Sequence, residues 1–173
     1  MSGVSADTPA LIVVDGGELA YGGTDIGALI GSVKFTLERE YYTPEFIRVR
    51  GPVKGTRFVI KEIPRLTCMM SEWQVARIQY ALPDTDLSSD ASSDVLTSVP
   101  GRLPDASYED IVYKTTLADG KEMQITVRDA VCDANLEVEF PDTEAAQYEV
   151  TFVGHYDPAD ATVAPWEIMI ETA

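Results

Sequence analysis

Apolar and polar residues alternate along most of this chain with the period of a strand rather than a helix. In Leu29–Tyr41 the residues Leu29, Val33, Phe35 and Leu37 are apolar, while Ser32, Lys34, Thr36, Glu38 and Glu40 are polar. A period of two puts one set on a core and the other on solvent or a partner. A second set, Phe58, Ile60, Leu66, Cys68 and Met70, is interrupted at Glu62-Ile63-Pro64. Proline cannot donate to a ladder, so a bulge or a sheet edge is expected there. Between the two strands, Thr43–Thr56 contains Gly51-Pro52 and Gly55 and reads as a long hairpin connection. Its middle, Ile47-Arg48-Val49-Arg50, still alternates, so the hairpin is expected to extend beyond the body.

The second half repeats the pattern. Tyr108–Leu117 and Lys121–Val131 flank Asp119-Gly120, which predicts a two-residue type I′ turn. Leu136, Val138 and Phe140 alternate with Glu137 and Glu139; Tyr148, Val150 and Phe152 alternate with Glu149 and Thr151; Trp166, Ile168 and Ile170 form a last strand. One helix interrupts the strands. Ser71-Glu72-Trp73-Gln74 fits a capping box with Ser71 as N-cap, and Pro83 stops the helix after Leu82. Val75, Ile78 and Leu82 share one side, to pack on the sheet; Trp73, Ala76 and Tyr80 share the other, which could meet a neighbouring subunit. Residues 83–107 are rich in Ser and Asp and are expected to be a surface excursion or partly disordered. Seven or so strands with one helix over 71–82 predict a mainly β, antiparallel sandwich or barrel. The whole of 1–173 is expected to form a single domain, with an N-terminal arm over 1–27.

Charge sharpens this picture. The 173 residues carry 13 Lys+Arg against 29 Asp+Glu, a formal charge of −16. That balance argues against holding nucleic acid by phosphate neutralisation. Six bases (Arg48, Arg50, Lys54, Arg57, Lys61, Arg65) face one acid, Glu62, between Arg48 and Arg65, whereas 16 acids face three bases from Leu103 onward. A cationic segment on an anionic body suggests contact with another anion, which could be a second copy of the chain. No run of residues is long and apolar enough for a transmembrane helix, and Leu11–Val14 is too short for a signal-peptide core, so neither a membrane nor an export signal is expected. Cys68 and Cys132 lie 64 residues apart and read as buried, reduced thiols.

Candidate chemistry is sparse. Asp84, Asp86, Ser88 and Asp90 have the opening spacing of a calcium loop, but Ser89 stands where glycine is needed and Val95 where glutamate is needed. Gly16-Gly17 and Gly22-Gly23 lack any phosphate-loop context. His155, read as a strand residue after Gly154, is the one histidine. No catalytic residue, metal or cofactor is assigned, and no enzyme is expected.

Three segments in order carry a resemblance: Gly27-Ala28-Leu29-Ile30-Gly31-Ser32-Val33-Lys34-Phe35, then Gly51-Pro52-Val53-Lys54-Gly55, then Met69-Met70-Ser71-Glu72 with its helix. With Val150–Asp157 as a late strand ending in an aromatic–Asp turn, the chain resembles the tail tube (major tail) proteins of tailed bacteriophages over about Ala20–Glu171; residues 83–107 depart from that pattern. The resemblance implies a structural virion protein made in the host cytoplasm. Six copies would form a ring, and rings would stack into a tube through which genome DNA passes without specific binding. It further implies tail terminator, tail tip and tape-measure partners. On this reading Arg48, Val49, Arg50, Gly51, Pro52 and Lys54 form an inter-ring hairpin. Trp73 and Tyr80 form an inter-subunit helix face. Glu38, Glu40, Glu137, Glu139 and Glu149 are candidates for the lumen, unpaired with base. The alternative is a monomeric β-sandwich module that binds a ligand such as carbohydrate in a groove lined by Tyr and Trp.

Overall fold

Two sets of alternating side chains meet in one core. Tyr148, Val150 and Phe152 are buried together with Leu66, Cys68 and Met70, and the opposing set is Leu19, Tyr21, Ile26, Ile111, Val127 and Ala130. Full burial of a side chain such as Phe152 contributes on the order of 1.5–3 kcal/mol. The computed structural model describes residues 16–27, 29–99, 101, 103–104, 107–140 and 146–172; most of the expected N-terminal arm, residues 1–15, lies outside them.

The elements are β1 (Glu18–Tyr21), β2 (Thr24–Asp25), β3 (Leu29–Tyr42), β4 (Phe58–Met70), α1 (Val75–Ala81), β5 (Thr85–Ser89), β6 (Asp94–Ser98), β7 (Glu109–Thr116), β8 (Glu122–Cys132), β9 (Val138–Glu139), β10 (Gln147–Val153) and β11 (Trp166–Ile170). Pairing runs β2-β1-β7-β8-β10-β4-β3, with β11 on β8, β9 on β10, and β5–β6 as a separate two-stranded sheet. The fold is therefore mainly β and antiparallel, sandwich-like rather than a closed barrel.

β8 joins the two layers. One edge pairs with β7; the other pairs first with β11, over Met123–Val127, and then with β10, at Val131 and Cys132. The change of partner follows a bulge. The register steps from Ile111↔Val127 to Glu109↔Ala130, and Asp129 takes a left-handed φ of 45°. Strands that change sheets do so at such bends. β10 leaves its sheet at the same point, where Gly154 N–H donates to Pro64 O and His155 N–H to Arg128 O.

Of the two outcomes expected at Pro64, the structure shows the edge: β4 runs through Pro64 without a bulge, in register with Leu37. Pro64 C=O points toward β10, whose ladder ends at Val153↔Arg65, so the missing N–H falls where β4 becomes an edge. Several other expectations are corrected. The β7–β8 turn is a three-residue loop: Gly120 N–H donates to Leu117 O, Leu117 N–H donates to Lys121 O, and Gly120 alone takes positive φ. Leu136 and Phe140 fall outside β9, and His155 lies beyond β10, exposed, with Nδ1 3.1 Å from Asp129 O. Helix α1 begins at Val75 with Gln74 as N-cap and no side-chain cap. The reason is tertiary: Trp73 Nε1 donates to Ala146 O, and Tyr148 OH donates to Glu72 O, holding 71–74 out of the helix. The polar excursion contains an ordered hairpin, β5–β6. Its strands pair from Thr85↔Ser98 to Ser89↔Asp94.

Candidate assembly surfaces

The β3–β4 ribbon outgrows the body. From Pro64 back to Phe58, β4 pairs with β3 alone among the described residues. A groove of about 630 Å³ follows this edge, between Val59–Ile63 and Val153–Tyr156. Tyr41, Tyr42, Phe58, Val59 and Ile60 are exposed on the ribbon, and Phe46, Ile47 and Val49 on the loop that caps it; Ile47 is 94% exposed. Contiguous apolar surface of this kind marks an interaction site.

Arg48, Val49, Arg50, Gly51, Pro52 and Lys54 all lie exposed in that loop. The alternation at 47–50 does not extend the ladder, which is a correction. Val49 N–H donates to Phe46 O, and Arg48 takes a left-handed φ of 72°, so the chain turns there. A second turn is closed by Thr56, whose N–H and Oγ1 both donate to Val53 O. At the neck, the Arg57 guanidinium lies 3.7 Å from the Tyr41 ring centroid, a cation–π contact that fastens loop to ribbon.

Three of the five candidate lumen acids share a sheet face. Register places Glu38, Glu40 and Glu149 on the side opposite Phe35, Leu66 and Phe152. Lys34, Lys61 and Arg65 share that side, so acids and bases are mixed there. Arg65 Nε lies 3.2 Å from Glu38 Oε1 and its Nη1 3.7 Å from Asp133 Oδ2, so the expectation that these acids are unpaired with base fails at Glu38. The cause is register: with Glu38 opposite Ile63, Arg65 is its diagonal neighbour. Glu137 is exposed between β8 and β9, off any strand, while Glu139 lies on β9 opposite Gln147.

The helix residues separate. Tyr80 turns inward, its ring edge-on to Tyr21 at 5.2 Å, and Tyr21 in turn meets Phe152 at 5.0 Å. Placing Tyr80 on an outward side of the helix is thereby corrected, as is placing Trp73 on the helix. Trp73 stays 40% exposed, its ring tilted against those of Phe140 (5.4 Å) and Tyr148 (5.2 Å), and Phe140 itself is 74% exposed.

Two arrangements escaped sequence reasoning. Glu62 accepts from Arg39 Nε at 2.7 Å and from Trp166 Nε1 at 3.2 Å, tying β11 to the ribbon. At the bend in β8, burial first, and then the carboxylates of Asp110 and Asp157, push the Asp129 carboxyl above its ordinary range; His155 and Arg128 oppose them. Only the fold brings these residues together, from three separate segments.

No protein-family model matches the chain. No curated protein matches it either. Among solved structures, the chain is similar to one from the extended sheath–tube complex of the PVC extracellular contractile injection system, at 13% identity and TM-score 0.49, over 99% of this chain and 100% of that one. It is similar to one from the tube-terminating cap of the anti-feeding prophage, at 14% identity and TM-score 0.49, over 98% and 100%. It is also similar to an Hcp protein, at 15% identity and TM-score 0.26, over 68% and 62%.

Proposed function

We propose that this protein is the repeating subunit of a tail tube, in which six-membered rings stack head to tail into a conduit for genome DNA. The observation that carries this reading is the β3–β4 ribbon: a protruding edge, exposed apolar residues and a cationic loop on a chain of charge −16. An uncovered ribbon of this kind is an aggregation liability unless a partner receives it. A contact between two different surfaces of identical copies does not close on itself and generates a filament. Each exposed ion pair contributes about 0–1 kcal/mol, so stacking draws its strength from many copies acting together.

In the ring, Trp73 and Phe140 supply the exposed aromatic surface for a neighbouring subunit. Glu38, Glu40, Glu137, Glu139 and Glu149 supply acids for the bore, past which DNA moves without specific binding. The resemblance adds terminator, tip and tape-measure partners, a place in the virion and synthesis in the host cytoplasm. The carbohydrate-module alternative is set aside because the indole N–H of each tryptophan, the group that would hydrogen-bond a sugar, already donates within the chain, Trp73 to Ala146 O and Trp166 to Glu62. Negative-stain imaging of concentrated purified protein tests the reading: tubes or six-membered rings are expected. Dispersed single subunits at every concentration would refute it.

A further inference from the structure

We propose that loop 43–57 of one copy docks on the β5–β6 hairpin of another. The inference rests on the tube reading above and adds the surface that receives the loop.

The hairpin is built as an appendage. Asp90 closes its turn, accepting from Ser92 N–H at 2.7 Å and Ser93 N–H at 2.9 Å. Its root is tied to the end of α1: Gln79 Nε2 donates to Thr85 O, and Thr85 Oγ1 donates to Leu82 O. Among the described residues, neither strand joins the main sheet. A lone two-stranded ribbon is marginally stable in water unless a third element packs on it, and this one leaves Leu87, Val95 and Val99 exposed at 36%, 47% and 49%.

The two surfaces match in kind and oppose in sign. Residues 83–99 contain Asp84, Asp86, Asp90 and Asp94 and no base, whereas loop 43–57 contains Arg48, Arg50, Lys54 and Arg57 against Glu45. Both interleave charged residues with exposed apolar ones, Leu87 and Val95 on the hairpin and Phe46, Ile47 and Val49 on the loop. Acids of the C-terminal half fit the role less well, because several already have a cation: Glu122 pairs with Lys114, Asp119 with Lys121 and Glu167 with Arg128.

Position makes the contact intermolecular. The hairpin's root follows Tyr80, which packs through Tyr21 on Phe152, opposite Leu66 of β4. The loop begins beyond Phe58, eight residues further along the strand, or about 26 Å at roughly 3.3 Å per residue. A donor surface and a different acceptor surface, set apart along one strand, repeat from copy to copy without closing.

The test uses the full chain and two charge reversals. Asp86→Lys/Asp94→Lys makes the hairpin basic, and Arg48→Glu/Arg50→Glu makes the loop acidic. Each double variant alone is expected to raise the critical concentration for tube formation about tenfold or more, with the thermal unfolding of the dispersed subunit unchanged. An equimolar mixture should assemble again, because each loop then finds a hairpin of opposite charge on the other variant. A bismaleimide ladder from Ile47→Cys/Val95→Cys protein is the second measurement, and it needs no charge change. If hairpin-reversed protein forms tubes like wild type, or if the mixture fails to recover, the docking is overturned while the tube reading stands. If wild type forms no tubes, the tube reading falls and takes this contact with it.

Discussion

Gly154 sits where β10 leaves its sheet and β8 changes partners, and replacing it with alanine should damage the joint between the layers. A Cβ there would lie 2.5 Å from Val127 Cγ1, 2.8 Å from Pro64 Cγ and 3.1 Å from Arg128 O. Val127 and Pro64 are fully buried, and a β-branched side chain in a packed core has little rotamer freedom to yield. Relief must come from moving the backbone, which loosens the Gly154 N–H to Pro64 O and His155 N–H to Arg128 O hydrogen bonds, now 3.0 and 3.3 Å. Overpacking of this sort costs about 1–3 kcal/mol, and each weakened hydrogen bond adds up to about 1 kcal/mol. The smaller unfolded-state entropy of alanine offsets about 0.4–1 kcal/mol. The net expectation for Gly154→Ala is a loss of about 2–3 kcal/mol. At about 2–4 °C per kcal/mol for a chain of this length, Tm should fall by about 5–10 °C.

Equilibrium urea unfolding followed by circular dichroism reads this directly, with a lower midpoint and an unchanged slope. Val127→Ala in the same background removes the 2.5 Å collision, so the double variant should lose less than the sum of the two single losses, by at least about 0.5 kcal/mol. A Gly154→Ala protein within about 0.5 kcal/mol of wild type, or strict additivity with Val127→Ala, would refute the close-approach reasoning.

Asp129→Asn should stabilise the fold at neutral pH. Burial, with Asp110 and Asp157 beside it, raises the carboxyl's folded pKa, so its contribution to stability is complete below the unfolded value of about 3.9 and is lost as pH rises through the folded value. Asparagine keeps the left-handed φ accessible and removes the charge, so the Tm gain seen at pH 7 should shrink on acidification and vanish below the carboxylate range; an equal or lower Tm at pH 7 would contradict this. The thiols give an independent check on the core. Burial is the leading cause that pushes Cys68 up to about 12 and raises Cys132 as well, so a disulfide reagent at pH 8 should label both only as the chain unfolds, and rapid labelling of either thiol in the native protein would show the core wrongly drawn.

How legible the molecule is from its sequence depends on where each constraint originates. β3, β4 and β10 read correctly because burial on one face writes itself into every second residue, as in Tyr148, Val150 and Phe152. The bend in β8 leaves no such trace: Asp129 adopts a left-handed φ because two sheets diverge there, and nothing in Arg128-Asp129-Ala130 announces it. Ser71–Gln74 is a sound local capping box that loses to tertiary bonds at Glu72 and Trp73. The β5–β6 hairpin hides behind its Ser and Asp content, although the spacing of Leu87 and Leu96 about Asp90–Ser93 was an available sign of a pair closing over an Asx turn. Of the candidate surfaces, the charge and exposure of the hairpin loop were readable, since both follow from composition. Which acids share a face was not, because register decides it: a one-residue slip would have carried Glu38 to the other side.

That register also bears on how an anionic conduit would treat DNA. The face bearing Glu38, Glu40 and Glu149 is close to neutral, with Lys34, Lys61 and Arg65 beside them, so the formal charge of −16 resides mainly elsewhere on the subunit. A wall need not be strongly acidic to let a polyanion slide; it must lack cations free to replace counterions at the phosphates. Arg65 meets this condition because it is held between Glu38 and Asp133, one carboxylate on either side of its guanidinium. At physiological ionic strength, charges further than about 8 Å from the passing phosphates are largely screened, so pairing within the wall weighs more than surplus acid behind it. On the proposed reading, Arg65 would not be free to hold DNA, Lys61 stands opposite Glu40 in the register, and the aspartates of the β5–β6 hairpin would be left to meet the cationic loops of neighbouring copies.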